Sequence, residues 1–362
     1  MLAAAASAPW LSFGFKASPA AAAADAAARV LQPFLDSGEL HAASLFVQCR
    51  ADRCSRVFGA ATSPDAAFLL GSISKPIALT ALMTLYDQRL FELDDAVCKY
   101  LPEFQGDGRE RITVRQLLSH ISGLPDQLPD NNALRARHAP LADFIAGALR
   151  TQPEFTPGSR YQYSSMGTLL AAEIAQRISR QDIRTLVQDR VFTPLSMHNA
   201  ALGTGRLRPD QMVRCQTEFA APESGGGAED AKGWDWNRSF WRQLGAPWGG
   251  VQASAENVGR WLHDFLQPSG RVLRGETAAL MTQNHNPEGF ESRGLALDVG
   301  LNAICRGCSE RTFGHTGSTG TIALADPEQH VICVVLTSLP GAARPTAEHP
   351  RILAAEAVFR TV

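Results

Sequence analysis

The residues best suited to chemistry are a serine and a lysine three positions apart, Ser72 and Lys75. An extended apolar run, 68–70, stops at Gly71, and apolar residues recur at helical spacing after Pro76. Because proline is tolerated only in the first turn of a helix, the helix is predicted to begin at about Ser72. Residues three apart share a helix face, so the hydroxyl, the amine and the first-turn N–H groups point into one space.

This arrangement would supply a nucleophile, a candidate base and half an oxyanion hole. A lysine acts as a base at neutral pH only if its surroundings lower its pKa by roughly 3 units from about 10.4. The pair alone leaves a second interpretation open, in which Ser72 only caps the helix and Lys75 is solvated.

The composition is that of a globular enzyme-sized chain: 362 residues, 45% hydrophobic, 19% charged and a formal net charge of −2. No block of like charges indicates a nucleic-acid or membrane partner, so small neutral molecules are the expected substrates.

The apolar first fifteen residues carry no Lys or Arg ahead of the apolar part and are interrupted by Pro9, which makes a poor signal peptide. We therefore expect a cytoplasmic location. The oligomeric state is open.

Seven cysteines cannot all pair and are scattered, so no disulfide framework is predicted. Cys305 and Cys308 form a lone C-x-x-C, which indicates two thiols flanking a loop more than a metal or redox site. The histidines show no ligand spacing, and we expect no metal ion and no cofactor.

The elements that must position Ser72 are predicted from periodicity. Helices are expected at 19–37, from 113 to 120 with Thr113 as N-cap, around 141–149, directly after Tyr163, and at 352–362. Strands are expected at 44–48 and 56–59 and, in the last quarter, as an antiparallel meander over 295–301, 312–315, 320–325 and 331–337. The fold class is α/β (α+β), in one domain over 1–362. An α/β subdomain, 19–71 and 290–362, and a largely helical subdomain, 72–289, are predicted to meet at the active site.

Two further features are ambiguous. His120 is a candidate base, but its place at a helix end before a glycine turn favours a capping or core role. The loop-rich segment 201–250 has Gly225-Gly226-Gly227 at its tip. It carries Trp234, Trp236, Phe240, Trp241 and Trp248, which either form an aromatic substrate wall or fasten a long excursion to the core.

Three motifs follow in order: Ser72-x-x-Lys75, Tyr163-x-Ser165 and His315-Thr316-Gly317-Ser318. With them, the chain from about residue 30 resembles the β-lactamase-related serine hydrolases. This superfamily includes class C β-lactamases, D-alanyl-D-alanine peptidases, D-aminopeptidases and family VIII carboxylesterases, and it has the β-lactamase/penicillin-binding-protein-like fold. Four short segments between these motifs are also similar to the family: Leu117 to Pro125, Pro157-Gly158, Pro194 to Met197 and Pro247 to Gly250.

The resemblance implies that Ser72 is acylated, that Lys75 and Tyr163 share the general-base work, and that the N–H groups of Ser72 and Ser318 form the oxyanion hole. A buried amine and phenol side by side would share one proton and titrate as a pair. Substrate-binding roles are expected for Ser165, His315, Thr316 and Gly317, and for Trp234, Trp236 and Trp241. Gly317 would allow close backbone approach to the acyl group.

Two departures from the family pattern bear on the substrate. The last residue of the family's Y-x-N motif is Ser165 here, so a short hydroxyl replaces the amide and the polar contact with an acylamido group is weaker. The family's K-T-G motif is His315-Thr316-Gly317 here, which removes the cation expected to bind a β-lactam carboxylate. A carboxylesterase on small esters is therefore the leading hypothesis. A D-stereospecific peptidase or amidase, with Arg311 or Arg351 as anchor, a weak β-lactamase and a catalytically silent binding module are the alternatives. No G-x-S-x-G elbow occurs, which excludes an α/β-hydrolase.

Overall fold

The alternating and helical patterns of the sequence build one large sheet with helices on both faces. The computed structural model describes residues 17–224, 233–301 and 304–362. The helices are α1 Pro19–Asp36, α2 Ser74–Asp87, α3 Val114–Leu118, α4 Asn131–Ala136, α5 Leu141–Arg150, α6 Ser165–Ser179, α7 Ile183–Val187, α8 Ser239–Leu244, α9 Ala255–Leu266, α10 Gly275–Met281 and α11 Pro350–Phe359. The strands are β1 Ala42–Cys49, β2 Asp52–Gly59, β3 Phe68–Leu69, β4 Ala200–Leu202, β5 Val251–Ala253, β6 Asp298–Val299, β7 Phe313–Gly317, β8 Thr321–Asp326 and β9 Val331–Thr337.

Six strands form an antiparallel sheet in the order β2-β1-β9-β8-β7-β6. Strand β1 is buried on both faces: Leu45 and Val47 join the core with α1 and α11, whereas Phe46 joins the core on the side of α9. This follows from the strand period of two, which sends successive side chains to opposite faces. The terminal helices therefore cover one face of the sheet, and α9 covers the other.

A second, three-stranded sheet has the order β3-β5-β4 and leads directly into the Ser72 turn. The N–H of Leu70 donates to the carbonyl of Val251 at 2.9 Å, and the N–H of Val251 donates to Ser74 Oγ at 2.9 Å. The sequence predicted the extended run at 68–70, which contains β3. Strands as short as β4 and β5 leave almost no periodic signal, and the three-stranded pairing was not predicted. Its effect is to fix both ends of the turn that carries Ser72.

The predicted fold class is confirmed, with an antiparallel sheet between N- and C-terminal helices and the expected elements close to their predicted bounds. Thr113 caps α3 as predicted, in a reciprocal capping box with Gln116. One boundary differs in kind, since the chain enters a 3-10 turn, Gly71–Ile73, before α2 begins at Ser74. The strand predicted at 295–301 is reduced to the two residues of β6. The division into two subdomains stays a prediction.

Segment 201–250 consists of β4, α8 and 3-10 turns in its described part, and its four tryptophans are each at most 4% exposed. The predicted tip, Gly225-Gly226-Gly227, and the apolar first fifteen residues lie outside the described residues. None of the helices in the described ranges is long and apolar enough to cross a membrane.

The packing of α9 on the sheet gives a test of the fold. Gly259 faces the ring of Phe46, and a Cβ at Gly259 would lie 2.3 Å from two ring carbons. We expect Gly259→Ala to lower the free energy of unfolding by about 1–3 kcal/mol, because overpacking outweighs the gain of up to about 1 kcal/mol in helix propensity. Urea denaturation measures the change.

Gly275→Ala in α10 is the matched control, since its Cβ would meet nothing closer than 3.8 Å. Adding Phe46→Leu to Gly259→Ala should recover part of the loss, which a double-mutant cycle detects. Equal stability of the Gly259→Ala and Gly275→Ala variants would contradict this account of the α9 interface.

Candidate active site

The first-turn geometry places Ser72 and Lys75 in direct contact. Lys75 Nζ donates to Ser72 Oγ at 3.0 Å and to the carbonyl oxygen of Trp248 at 3.0 Å. Lys75 is 1% exposed, so it is not the solvated lysine of the alternative interpretation. The neighbouring Ser74 is fully buried and its Oγ accepts the Val251 N–H, whereas Ser72 is half-buried and lines both cavities described below.

Burial sets the charge of Lys75. Desolvation lowers the pKa of its amine to about 7, with the charge of Arg293 acting in the same direction and the Asp126 carboxylate opposing it. The shift is equivalent to roughly 5 kcal/mol against the charged form. A substantial fraction of Lys75 is therefore neutral near pH 7, and a neutral amine in contact with Ser72 Oγ can accept its proton.

Tyr163 lies beside this pair with its hydroxyl buried. Lys75 Nζ lies 4.7 Å from the centroid of the Tyr163 ring, and the phenol oxygen has no hydrogen bond of standard geometry to a described residue. Burial raises the pKa of Tyr163 well above its ordinary value, with Arg293 and Ser72 opposing that rise. Among the described residues the amine and the phenol are not hydrogen-bonded to each other: the lysine lies over the face of the tyrosine ring, and its amine is hydrogen-bonded to Ser72 Oγ.

His120 holds the backbone on both sides of Tyr163. Its Nδ1 accepts the N–H of Ser164 at 3.2 Å, and its carbonyl accepts the N–H of Gln162 at 2.8 Å. The imidazole also packs on the Tyr163 ring, with 4.6 Å between the ring centroids. Burial lowers the pKa of His120 well below its ordinary value. His120 is therefore a neutral residue that positions Tyr163, in line with the core role favoured from sequence.

The predicted oxyanion-hole residues lie side by side. Gly71 has a left-handed φ of +56°, and a Cβ there would lie 3.0 Å from the backbone nitrogen of Ser318. Ser72 is the second residue of the 3-10 turn, where N–H groups have no partner within the turn. The N–H of Ser318 has no acceptor among the described residues. Two backbone donors are thus available next to Ser72 Oγ.

The packing around Gly317 gives a second reason for a glycine at this position, beside the predicted approach to the acyl group. A Cβ at Gly317 would lie 2.1 Å from the carbonyl oxygen of Leu70 and 2.2 Å from Thr321 Oγ1. Thr321 Oγ1 in turn donates to that Leu70 carbonyl at 2.7 Å. The absence of a side chain therefore lets β7 pack directly against the segment that enters the Ser72 turn.

Ser165 is engaged by a residue that the sequence analysis did not single out. Its backbone N–H and its hydroxyl both donate to Asp126 Oδ1, at 2.8 Å and 2.6 Å. The hydroxyl proton is thus committed within the protein. Ser165 lines the site as predicted, with its donor directed at Asp126.

His315 is neutral, and a cation lies next to it. Its Nε2 accepts from Arg293 at 2.8 Å, and its Nδ1 donates to the carbonyl of Thr316 at 2.6 Å. Burial and the Arg293 charge lower the pKa of His315 well below its ordinary value. Arg293 is 2% exposed and ion-paired with Asp298. The inference that the site lost its cation is therefore wrong in one respect: a cation is present in Arg293, but its charge is balanced by Asp298.

Two cavities meet at Ser72. The larger, about 790 Å³, is lined on one side by Tyr161, Arg293, Asp298, His315 and Thr316, and the smaller, about 190 Å³, by Lys75, Asp126, Ser165 and Trp248. Trp236 lines both cavities, Trp241 lines the smaller one, and Trp234 lines neither.

Of the two candidate anchors, only Arg351 lines the larger cavity, whereas Arg311 is exposed and lines neither. Arg351 Nη1 donates to the carbonyls of Gly317 and Thr321. Burial lowers the pKa of Arg351 to about 10, so it stays charged at neutral pH.

Over the described ranges no cluster of three or more His, Cys, Asp or Glu side chains could hold a metal ion. Cys305 and Cys308 are free thiols on the turn before β7, and the N–H of Cys308 donates to the Cys305 carbonyl at 3.4 Å. Neither cysteine lines the two cavities that meet at Ser72.

A family model described as Beta-lactamase matches residues 27–357, which includes every residue of the site described above. The chain belongs to the beta-lactamase family. Its mixed α/β architecture and the order of its motifs are those expected from the resemblance.

The chain matches only part of the length of its curated relatives. Penicillin-binding protein 4 of Amycolatopsis lactamdurans is 29% identical over 62% of this chain and 58% of its own length. A Salmonella enteritidis protein, whose name assigns it provisionally to the D-alanyl-D-alanine carboxypeptidases, is 24% identical over 72% of this chain and 66% of its own length. The chain thus spans less than two thirds of each of these relatives.

Solved structures agree on the fold along almost the whole chain. A penicillin-binding protein homologue from Caulobacter crescentus has a TM-score of 0.77 at 20% identity, covering 94% of this chain and 98% of that one. A family VIII carboxylesterase has a TM-score of 0.76 at 18% identity, with the same coverage. At these identities the likeness shows the beta-lactamase-family fold.

Three residues of the site were missed from the sequence: Asp126, Arg293 and Asp298. Asp126 directly follows the family-like segment that ends at Pro125, and this position was the only feature of the sequence that could have indicated a place in the site. Arg293 and Asp298 face each other across an isolated antiparallel bridge. A bridge of this length has no periodicity, so their pairing could not be read from the chain.

The contacts of His120 predict how Tyr163 is positioned. His120→Asn keeps an acceptor where Nδ1 lies and tolerates the left-handed backbone (φ 60°), whereas His120→Phe keeps a ring and leaves the Ser164 N–H unpaired. We expect His120→Asn to retain much more of kcat/KM than His120→Phe, with KM changing less than kcat in both. Ester hydrolysis and melting temperature are measured together. If the two variants lose activity equally at matched stability, ring packing and not the hydrogen bond positions Tyr163.

Proposed function

We propose that the chain is a serine hydrolase that forms an acyl-enzyme on Ser72, acting as a carboxylesterase on small carboxylic esters. The observation that carries this proposal is the contact of 3.0 Å between Ser72 Oγ and a buried lysine whose pKa is lowered to about 7. The combination of a nucleophile and an adjacent base is an arrangement used in acyl transfer.

In this scheme neutral Lys75 takes the proton of Ser72 as Oγ attacks the ester carbonyl. The developing oxyanion receives the N–H groups of Ser72 and Ser318. Lys75 then returns the proton to the departing alkoxide, and a water molecule activated in the same way releases the acid. The face of the Tyr163 ring lies over the Lys75 amine and limits the access of water to it.

Two features favour esters over β-lactams. Arg293, the buried cation next to His315, is paired with Asp298 and so offers no net charge to a substrate carboxylate. The Ser165 hydroxyl donates to Asp126 and not toward an acylamido group. A family VIII carboxylesterase with the same fold adds support at the level of architecture.

A D-stereospecific peptidase or amidase is the second candidate. The observation in its favour is Arg351, a charged residue at the wall of the larger cavity whose only described acceptors are backbone carbonyls. Relatives named as penicillin-binding protein and as carboxypeptidase point the same way. Weak β-lactamase activity is the remaining enzymatic alternative. A catalytically silent binding module is disfavoured by the intact contact between Ser72 and Lys75.

Removal of the nucleophile tests the proposal. We expect Ser72→Ala to abolish hydrolysis of p-nitrophenyl butyrate and covalent labelling by a fluorophosphonate, with the fold intact because only a half-buried hydroxyl is lost. Mass spectrometry locates the label. Ser74→Ala is a structural control that should cost stability and retain labelling at Ser72. Label on any residue other than Ser72 would overturn the assignment.

A panel of substrates separates the candidate functions. We expect p-nitrophenyl esters to be turned over faster in kcat/KM than D-amino acid amides and a chromogenic cephalosporin. Preference for a D-amide, lost in Arg351→Lys, would favour the peptidase or amidase. Absence of both turnover and labelling would favour the binding module.

The pH dependence follows from Lys75. The neutral amine is the active form. The value of kcat/KM should therefore rise with pH through a midpoint near the pKa of about 7 and reach a plateau above it. Asp126 raises the pKa of Lys75, so Asp126→Asn should move this midpoint to lower pH. Rate profiles on p-nitrophenyl butyrate measure both. An unchanged midpoint in Asp126→Asn would mean that another group governs the profile.

A further inference from the structure

The C-x-x-C segment, which the proposed function does not use, is folded into a tight turn. The N–H of Cys308 donates to the carbonyl of Cys305 at 3.4 Å, which closes a turn of four residues. Gly307, the third of them, has a left-handed φ of +97°, as a type II turn requires. A β-turn brings its first and last Cα atoms within about 7 Å of each other, and a disulfide spans Cα atoms up to about 7 Å apart. The backbone therefore places the two cysteines within disulfide range.

Contacts from two other parts of the chain hold the turn in this conformation. Gln329, between β8 and β9, donates through Nε2 to the Gly307 carbonyl at 2.6 Å, and the N–H of Arg306 donates to Glu356 Oε1 in α11 at 3.2 Å. Phe359 of α11 packs against the same turn, since a Cβ at Gly307 would lie 3.2 Å from the Phe359 Cβ. Both cysteines are free thiols in this conformation, so they are brought together before any bond forms between them.

The two thiols interact with each other and differ in exposure. Cys305 is fully buried, whereas Cys308 is half-buried and follows the exposed Arg306 and Gly307. A hydrogen bond to the Cys308 sulfur and burial raise the pKa of the Cys305 thiol above its ordinary value. Because solvent access decides which thiol an oxidant meets first, Cys308 is the reactive thiol and Cys305 is the partner that resolves it.

Two other uses of these thiols fit the structure less well. A structural zinc site needs four ligands, and over the described ranges no group of three His, Cys, Asp or Glu side chains could hold a metal ion. Burial raises the pKa of Cys333, and the nearby Cys308 thiol adds to the rise, so a third thiol lies in the vicinity. Cys333 is fixed in β9 between β1 and β8, however, whereas Cys305 and Cys308 share one turn.

We propose that Cys305 and Cys308 form a reversible oxidation site, in which a hydroperoxide oxidises Cys308 and Cys305 then closes a disulfide with it. The Cys308 sulfur attacks an oxygen of the peroxide, the O–O bond breaks, and the leaving alkoxide or hydroxide takes the thiol proton, so that Cys308 becomes a sulfenic acid. The Cys305 sulfur then displaces that hydroxyl group, which leaves as water with the Cys305 proton. Two electrons pass from the thiols to the peroxide, and a dithiol reductant returns them.

The oxidation site goes beyond the proposed function and does not depend on it. Neither cysteine lines the cavities at Ser72, and the reaction consumes no ester. The Ser72→Ala protein should therefore oxidise like the unchanged chain, and failure of either proposal leaves the other intact.

Thiol mapping tests the bond. The full chain is reduced, freed of reductant, treated with hydrogen peroxide and alkylated with iodoacetamide in urea. We expect two of the seven thiols to be lost and to be restored by dithiothreitol. Trypsin cuts after Arg306, so the disulfide should join peptides 294–306 and 307–311, a product that mass spectrometry identifies. A disulfide between any other pair, including one with Cys333, or retention of all seven thiols would overturn the proposal.

Single substitutions separate the roles of the two thiols. In Cys305→Ser the sulfenic acid on Cys308 has no resolving thiol, so its labelling by dimedone should rise at least about fivefold over the unchanged chain. In Cys308→Ser the buried Cys305 should stay unlabelled. Cys98→Ser is the matched control, since it removes another half-buried thiol, one bonded to the Glu110 carbonyl, and should keep the disulfide. Stronger labelling of Cys305 in Cys308→Ser than of Cys308 in Cys305→Ser would contradict the order of oxidation.

A second probe tests proximity without oxidation and without any substitution. Phenylarsine oxide bridges two closely spaced thiols, so it should protect Cys305 and Cys308 of the reduced chain from alkylation together. The protection should be lost in Cys305→Ser and retained in Cys98→Ser. Melting temperatures are measured for each variant, and Cys305→Ala replaces Cys305→Ser where the buried hydroxyl lowers stability. Protection of a different pair, or of no pair in the unchanged chain, would overturn the proposal.

Discussion

Burial of the Lys75 amine is the constraint on which the rest of the structure depends. An amine with its ordinary pKa would be charged near neutral pH and could not remove the proton of Ser72. The protein excludes water by placing the side chain between α2, the Trp248 carbonyl and the Tyr163 ring. The resulting penalty of roughly 5 kcal/mol on the charged form must be offset by the folding energy of the surrounding core.

The same constraint explains why charges around the site are arranged in compensated sets. Arg293 would depress the pKa of Lys75 further if it were alone, and Asp298 balances it. His120 and His315 are both buried and neutral, so they contribute hydrogen bonds and packing without adding charge. Asp126 is the exception, because its carboxylate faces the smaller cavity with one oxygen weakly bonded.

The second half of the site forms where two backbone segments, the turn before α2 and the end of β7, approach each other closely. Gly71 and Gly317 both lie where any side chain would collide with the neighbouring segment, at Ser318 and at Leu70 respectively. These contacts bring the first turn of α2 against the end of β7, and threonine hydroxyls at Thr319 and Thr321 fasten the two segments to the carbonyls of Leu69 and Leu70. The two N–H groups proposed as oxyanion donors, those of Ser72 and Ser318, thus come from parts of the chain separated by about 250 residues.

The sequence by itself determined the pairing of Ser72 with Lys75, the order of the motifs and the main helices and strands, because these depend on local spacing and periodicity. The S-x-x-K spacing brings Ser72 and Lys75 together on one turn, and the turn follows from Gly71 and Pro76. The family resemblance then located Tyr163 and His315 near them, and the two do line the site. Thr113, Leu141 and the continuous apolar run over 331–337 predicted their elements for the same local reasons.

Only the tertiary structure decided the charges of the site. The ion pair between Arg293 and Asp298, the capture of Ser165 by Asp126 and the stacking of Lys75 on Tyr163 are contacts between residues with no periodic relation. The tryptophans illustrate the same limit: four of the six lie in segment 201–250 of the sequence, yet Trp236 and Trp241 line a cavity and Trp234 does not. Burial and the partner of a charged group depend on how distant segments pack, and a linear pattern of residue types does not contain that information.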